Sequence, residues 1–171
     1  MKAQGNLKPQ DILVLLKLHI ALGKERPKLV DLAVELGMSP SEVSQAIKRA
    51  SFAGLCDPVS SKPFPNALKE FILHGLRFVY PVQPGYLAVG MPTSHSALPL
   101  SKSIKSNEPY VWPDPNGKVR GQSLEPLYPS VPFASKKDAK LYELLALVDA
   151  LRAGNARERK LAITELGKRL S

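Results

Sequence analysis

The residues best placed to do chemistry in this 171-residue chain lie together in GMSPSEVSQAIKRA, residues 37–50. Ser41, Ser44, Gln45, Lys48 and Arg49 follow one another at helical spacing, and Ser39 opens the stretch. Hydroxyls, lysine and the free amides of a helix N-terminus bind phosphate. Glutamine pairs with adenine in the major groove, and arginine or lysine with guanine. The set suits a polyanion whose base edges are read.

Those side chains point together only if their helix starts at a fixed place. Ser39 is the natural N-cap, Pro40 suits the first helical position and Glu42 the third, which makes a capping box. Met38 and Val43 fall at the two positions of a hydrophobic staple. At about 100° per residue, Val43, Ala46, Ile47 and Ala50 face inward. The outward face carries no carboxylate beyond Glu42 at its edge. The spacing predicts a helix over 40–53. A short helix with Leu29, Leu32, Ala33 and Leu36 precedes it and stops at Gly37, where glycine takes the left-handed conformation easily. Ahead of both, Pro9 starts a helix running to about Leu22, with Leu7 and Ile12 as its staple. That helix is apolar nearly all round and must be covered by the rest of the core or by another subunit.

The stretch LVDLAVELGMSPSEVSQAIKRA resembles the helix-turn-helix of bacterial transcription regulators, in particular the winged-helix, MarR-like class. Ala33 matches the small residue where the two helices cross, and Gly37 the turn glycine. The resemblance implies that residues 40–53 are a recognition helix for double-stranded DNA, contacted through Ser39, Ser41, Ser44, Gln45, Lys48 and Arg49. A homodimer is expected from the nearly all-apolar first helix and the leucine-rich C-terminal residues, and because one recognition helix makes few base contacts, for which two half-sites about 34 Å apart are the usual remedy. After Leu55 the pattern departs from the class, because no basic wing follows directly. Asn66 is placed to cap another helix, and a hairpin is expected only at Phe78–Val82 with Tyr86–Val89 across Pro84-Gly85.

Ten prolines between Pro81 and Pro132 forbid long helices there. From Ser135, read as an N-cap, the helical period returns in Leu141, Leu144, Leu145, Val148 and Leu151. Gly154 ends that helix, and Asn155 with Glu158 starts another. The expected fold is therefore mostly α: a winged helix-turn-helix with a small β-hairpin over 1–90, a proline-rich extended segment over 91–134 and a helical hairpin over 135–171. The hairpin is suited to dimerisation or partner binding. The stretches LKEFILHGLRFVYP, VWPDPNGKVRG, LEPLYPSVP and LYELLALVDALRAGNARERKLA resemble bacterial winged-helix proteins, some of which look like partners of nucleotidyltransferase-type toxins. That resemblance implies a toxin-like partner enzyme and an antitoxin role. Tyr110, Trp112, Tyr128 and Phe133 are large anchors suited to the chain's own core or to such a partner.

Composition agrees with a polyanionic partner: 24 Lys and Arg against 15 Asp and Glu give a net charge of +9, with a sequence pI near 9.7. The excess is spread along the chain with no basic tail, so a basic patch must be built by folding. The single cysteine, Cys56, excludes an internal disulfide. The N-terminal MKAQGNLKPQ lacks a hydrophobic leader core, and the run Ile12–Leu22 is too short to span a bilayer, so the chain reads as cytoplasmic with no membrane partner. His19, His74 and His95 stand in no metal-ligand or triad spacing, and no phosphate-binding glycine loop occurs. No catalytic residue, metal or cofactor is expected.

Overall fold

A computed structural model describes residues 5–171; residues 1–4, part of the stretch read above as lacking a leader core, lie outside it. Helix α1 (Pro9–Ile20) begins with Asp11 accepting from the Lys8 amide at 2.9 Å, and Leu7 packs against the core one residue outside the N-cap. Helix α2 (Leu29–Leu36) ends at Gly37, whose φ of +65° is the left-handed turn expected. A side chain there would be strained, and its Cβ would lie 2.8 Å from the ring of Phe133. Helix α3 (Pro40–Phe52) follows after two further residues, then α4 (Pro65–His74) and the single turn α5 (Leu76–Val79).

Here the structure departs from the hairpin expected between Phe78–Val82 and Tyr86–Val89. Residues 76–79 are helical because Leu76 is drawn fully into the core, and the strand begins later, as β1 (Leu87–Thr93). Its partners are distant: β2 (Tyr110–Pro113) pairs with Gly90–Thr93 and β3 (Val119–Ser123) with Leu87–Gly90, both antiparallel. β2 and β3 close the sheet in parallel at Tyr110/Gln122 and Val111/Ser123. So tight a closure needs glycine. A Cβ on Gly90 would stand 1.9 Å from the Trp112 carbonyl oxygen. The proline-rich stretch is thus not an extended segment. It supplies two strands, the 3-10 turns Ser94–Ser96 and Leu100–Lys102, and helix α6 (Val131–Lys137).

The C-terminal hairpin is present as α7 (Ala139–Ala153) and α8 (Ala156–Arg169), the latter with the Asn155–Glu158 capping box. Its start is corrected. Asp138, not Ser135, caps α7 through the amides of Lys140 and Leu141, and Ser135 is buried inside α6, which Pro132 starts earlier. Likewise Phe64 rather than Asn66 stands at the N-cap of α4, because Pro65 already occupies its first turn.

Helix α7 is the centre of the molecule. Leu144 to Leu151 are all buried, against α1, α5, α6, α8 and β1. One continuous hydrophobic cluster joins Ile12, Leu36, Leu68, Trp112, Leu145 and Leu166, so the boundary expected at residue 90 falls inside strand β1 and divides neither sheet nor core. The apolar circumference of α1 is accounted for in the same way, with Ile12 to Leu16 and Leu18 covered by the chain itself. The leucines of α7 are equally covered. Neither feature is left to require a second subunit. No helix among the described residues is long and apolar enough to cross a membrane.

Candidate nucleic-acid interface

Both halves of the capping box of α3 are formed: the Glu42 amide donates to Ser39 Oγ at 3.1 Å, and the Ser39 amide to Glu42 Oε2 at 2.7 Å. Val43, Ala46 and Ala50 are buried, which turns Ser41, Gln45 and Lys48 to solvent and leaves Ser44 half-buried. Ser39 is exposed at the helix start. Five of the six residues expected to contact DNA therefore share one accessible surface.

Arg49 does not. Its guanidinium turns back to α1 and grips the fully buried Asp11 carboxylate with two hydrogen bonds, Nε at 2.9 Å and NH2 at 2.7 Å. The bonds to Asp11 outweigh burial and raise its pKa. Arg49 thus holds α3 against α1 instead of presenting a donor outward. The residue that takes its place on the exposed stripe is Phe52, 67% exposed in the last turn.

A second tether acts at the other end. Tyr128, in the segment between β3 and α6, donates its hydroxyl to Glu42 Oε1 at 2.6 Å, while Ser130 and Phe133 pack over Gly37. Tyr128 was read from sequence as a core or partner anchor. Its ring packs against the core, one of the two roles expected, and its hydroxyl partner is the capping carboxylate, 86 residues away. That bond, with those from Ser39, holds the Glu42 carboxyl below the ordinary carboxylate range, and the phenol of Tyr128 is correspondingly pushed up. A carboxyl of depressed pKa contributes its contact only while ionised, so this tether is lost on acidification through that depressed value. Tyr128→Phe is expected to move the Glu42 pKa back toward the ordinary range, read by NMR titration of the side-chain carboxyl. An unchanged titration would mean that the phenol does not hold Glu42 in solution.

Immediately after α3 the chain makes a small hairpin that the sequence reading missed. The Phe64 amide bonds the Leu55 carbonyl and the Asp57 amide the Lys62 carbonyl, both at 2.9 Å, around a bridge between Cys56 and Pro63. Asp57 folds the tip by accepting from the Val59 and Ser60 amides and the Ser60 hydroxyl, which hold its carboxyl below its ordinary pKa. Asp-Pro-Val-Ser was the available signal. Arg26 from the α1–α2 connection reaches this tip, donating to Ser61 Oγ at 2.8 Å and to the Val59 carbonyl. Lys24 and Lys62 stand exposed around the same depression, so three cations gather there from two stretches of chain. Burial, with a smaller push from Asp57, raises the thiol pKa of Cys56 beneath it, which leaves it a poor nucleophile.

Several other polar groups tie elements of the fold together. Lys17 joins α1 to α2 and α7 through Glu35 at 2.6 Å and Asp138 at 2.8 Å. Asp149, wholly buried, accepts from Trp112 Nε1 at 2.6 Å, Thr93 Oγ1 at 2.8 Å and Arg152 at 2.9 Å. His19 and His95 are buried with their Nε2 atoms on the carbonyls of Arg169 and Glu108, and His74 is exposed. Comparison with protein families, with curated proteins and with solved structures finds no match to this chain.

Proposed function

We propose that this protein is a sequence-specific DNA-binding transcriptional regulator, a repressor or autoregulator, that reads the major groove through α3. The observation that carries the reading is the exposed face of α3, with Ser41, Gln45 and Lys48 and no exposed acid among them, on a helix fastened at both ends by side chains from outside it. Rigid presentation of such groups limits the ordering cost of binding. The Ser39 hydroxyl and the Ser41 amide, the donors of the first turn that the capping box does not use, suit a phosphate, and Lys24, Arg26 and Lys62 beside the hairpin at 55–64 suit the flanking backbone, in the manner of a small wing. A homodimer fits two-fold half-sites. With α1 and α7 covered within one chain, its contact falls to other exposed apolar groups, such as Val30 and Val34 on α2 and Phe133 on α6. The molecule is read as a binding protein rather than an enzyme, without metal or cofactor.

A gel shift against the gene's own upstream region tests the reading. Gln45→Ala and Lys48→Ala are each expected to weaken binding by about 5- to 150-fold, the worth of one good base contact, without loss of stability. Wild-type protein that shifts no DNA at low salt would overturn it.

The alternative is a protein-interaction module, an antitoxin that neutralises a toxin-like enzyme. One observation favours it: a groove of about 460 Å³ lined by Tyr86, Pro113, Ser123, Pro126, Pro129 and Pro132, with Tyr86 exposed. Rigid prolines beside an open tyrosine can bind a partner at low entropic cost.

A further inference from the structure

Phe52 is the one apolar member of the exposed stripe of α3. On a helix turning about 100° per residue, Ser41, Gln45, Lys48 and Phe52 fall within a sector about 60° wide, opposite the buried Val43, Ala46 and Ala50. Phe52 is therefore not at the edge of the candidate reading face but in its middle. Its ring sits one turn beyond Lys48, at the end of α3 nearest the hairpin at 55–64.

Along the helix axis, Gln45 and Phe52 are seven residues apart, about 10.5 Å, close to the rise of three stacked base pairs. In the major groove the one apolar group on a base edge is the 5-methyl of thymine. Accordingly we infer that Phe52 is a specificity residue, packing on a thymine methyl about three base pairs from the adenine paired by Gln45. This rests on the DNA-reading proposal above. The stripe favours DNA over an apolar protein partner because its neighbours are a hydroxyl, an amide and a cation, which suit base edges and phosphates. Lys48, about 4.5 Å along the axis from Gln45, falls between the two positions, within reach of a guanine or a phosphate.

The test is selection from a random duplex pool, made in parallel with thymine and with deoxyuridine, using wild type, Phe52→Ala and Gln45→Ala. Phe52 packs mainly against solvent, so its removal is expected to leave the unfolding transition in place, which circular dichroism checks. Wild type is expected to enrich a site holding a thymine about three base pairs from an adenine, and to bind the deoxyuridine form about fourfold more weakly per half-site, the worth of one buried methyl group. Phe52→Ala is expected to keep the adenine, lose the thymine and bind both forms equally. Gln45→Ala is expected to do the reverse. Equal affinity of wild type for the two forms, or an unchanged thymine preference in Phe52→Ala, overturns the assignment while leaving DNA reading intact. Failure of wild type to enrich any site overturns both.

Discussion

Replacing Asp149 with alanine is expected to lower stability by about 3–5 kcal/mol, the cost of removing one member of a buried, charged hydrogen-bond network. The carboxylate lies at the centre of the core on α7, where burial raises its pKa against the opposing effect of Arg152, Thr93 and Trp112. Each of those groups is itself largely buried. Removing the acceptor leaves a buried guanidinium without its counter-charge and the Trp112 and Thr93 donors unpaired, and leaving such groups unsatisfied costs more than the net worth of the bonds. The network also crosses the whole fold. Thr93 belongs to β1 and Trp112 to β2, and Arg152 donates to the Tyr80 carbonyl after α5 at 2.8 Å. Urea unfolding measures the loss, and the single tryptophan reports it locally, since its indole N–H bonds Asp149 directly. Asp149→Asn, which keeps the volume and one acceptor, should lose less. A cost below about 1 kcal/mol for Asp149→Ala would show that the network does not hold the sheet to α7.

Arg49→Ala is expected to cost a similar amount, about 3–5 kcal/mol, and to abolish DNA reading by releasing α3 rather than by removing a contact. Asp11 is fully buried, takes two bonds from Arg49 and also accepts from the Lys8 amide at the start of α1. Without the guanidinium it is an uncompensated charge in the core. The ring of Tyr80 lies near enough to feel both charges, and burial first, then Asp11, pushes its phenol up to about 12. The contrast with the exposed residues is the useful readout. Gln45→Ala and Lys48→Ala should change binding with stability within about 0.5 kcal/mol of wild type, whereas Arg49→Ala should change both. A double-mutant cycle with Asp11→Ala isolates the pair, because its members are in contact and their effects should not add. An Arg49→Ala protein of wild-type stability that still loses DNA would return Arg49 to the reading face.

What could be read from sequence and what could not divides by separation along the chain. The turn at Gly37, the box at Ser39 and Glu42, and the box at Asn155 and Glu158 each span three or four residues, and each is present. Their physics is local: an orphan amide is satisfied by the nearest oxygen on the same turn. Hairpin strands were sought across a nearby Pro-Gly turn, but β1 finds its partners at Tyr110–Pro113 and Val119–Ser123, which no turn signal announces. The fate of Arg49 was illegible for the same reason. Its spacing on the helix lies close to the outward face, and only Asp11, 38 residues earlier, draws it back.

The sequence by itself determined that α1 to α4, α7 and α8 form, where α2 and α3 meet, and which side of α3 holds Val43, Ala46 and Ala50, because capping, glycine conformation and apolar periodicity are properties of short segments. Only the tertiary structure decided which polar groups on that helix are spent on the fold. Packing against α1 took Arg49, the segment after β3 took Glu42 through Tyr128, and Phe52 was left in the open. Those outcomes depend on which charges must be paired once the core excludes water, and that is settled by residues far away in the chain.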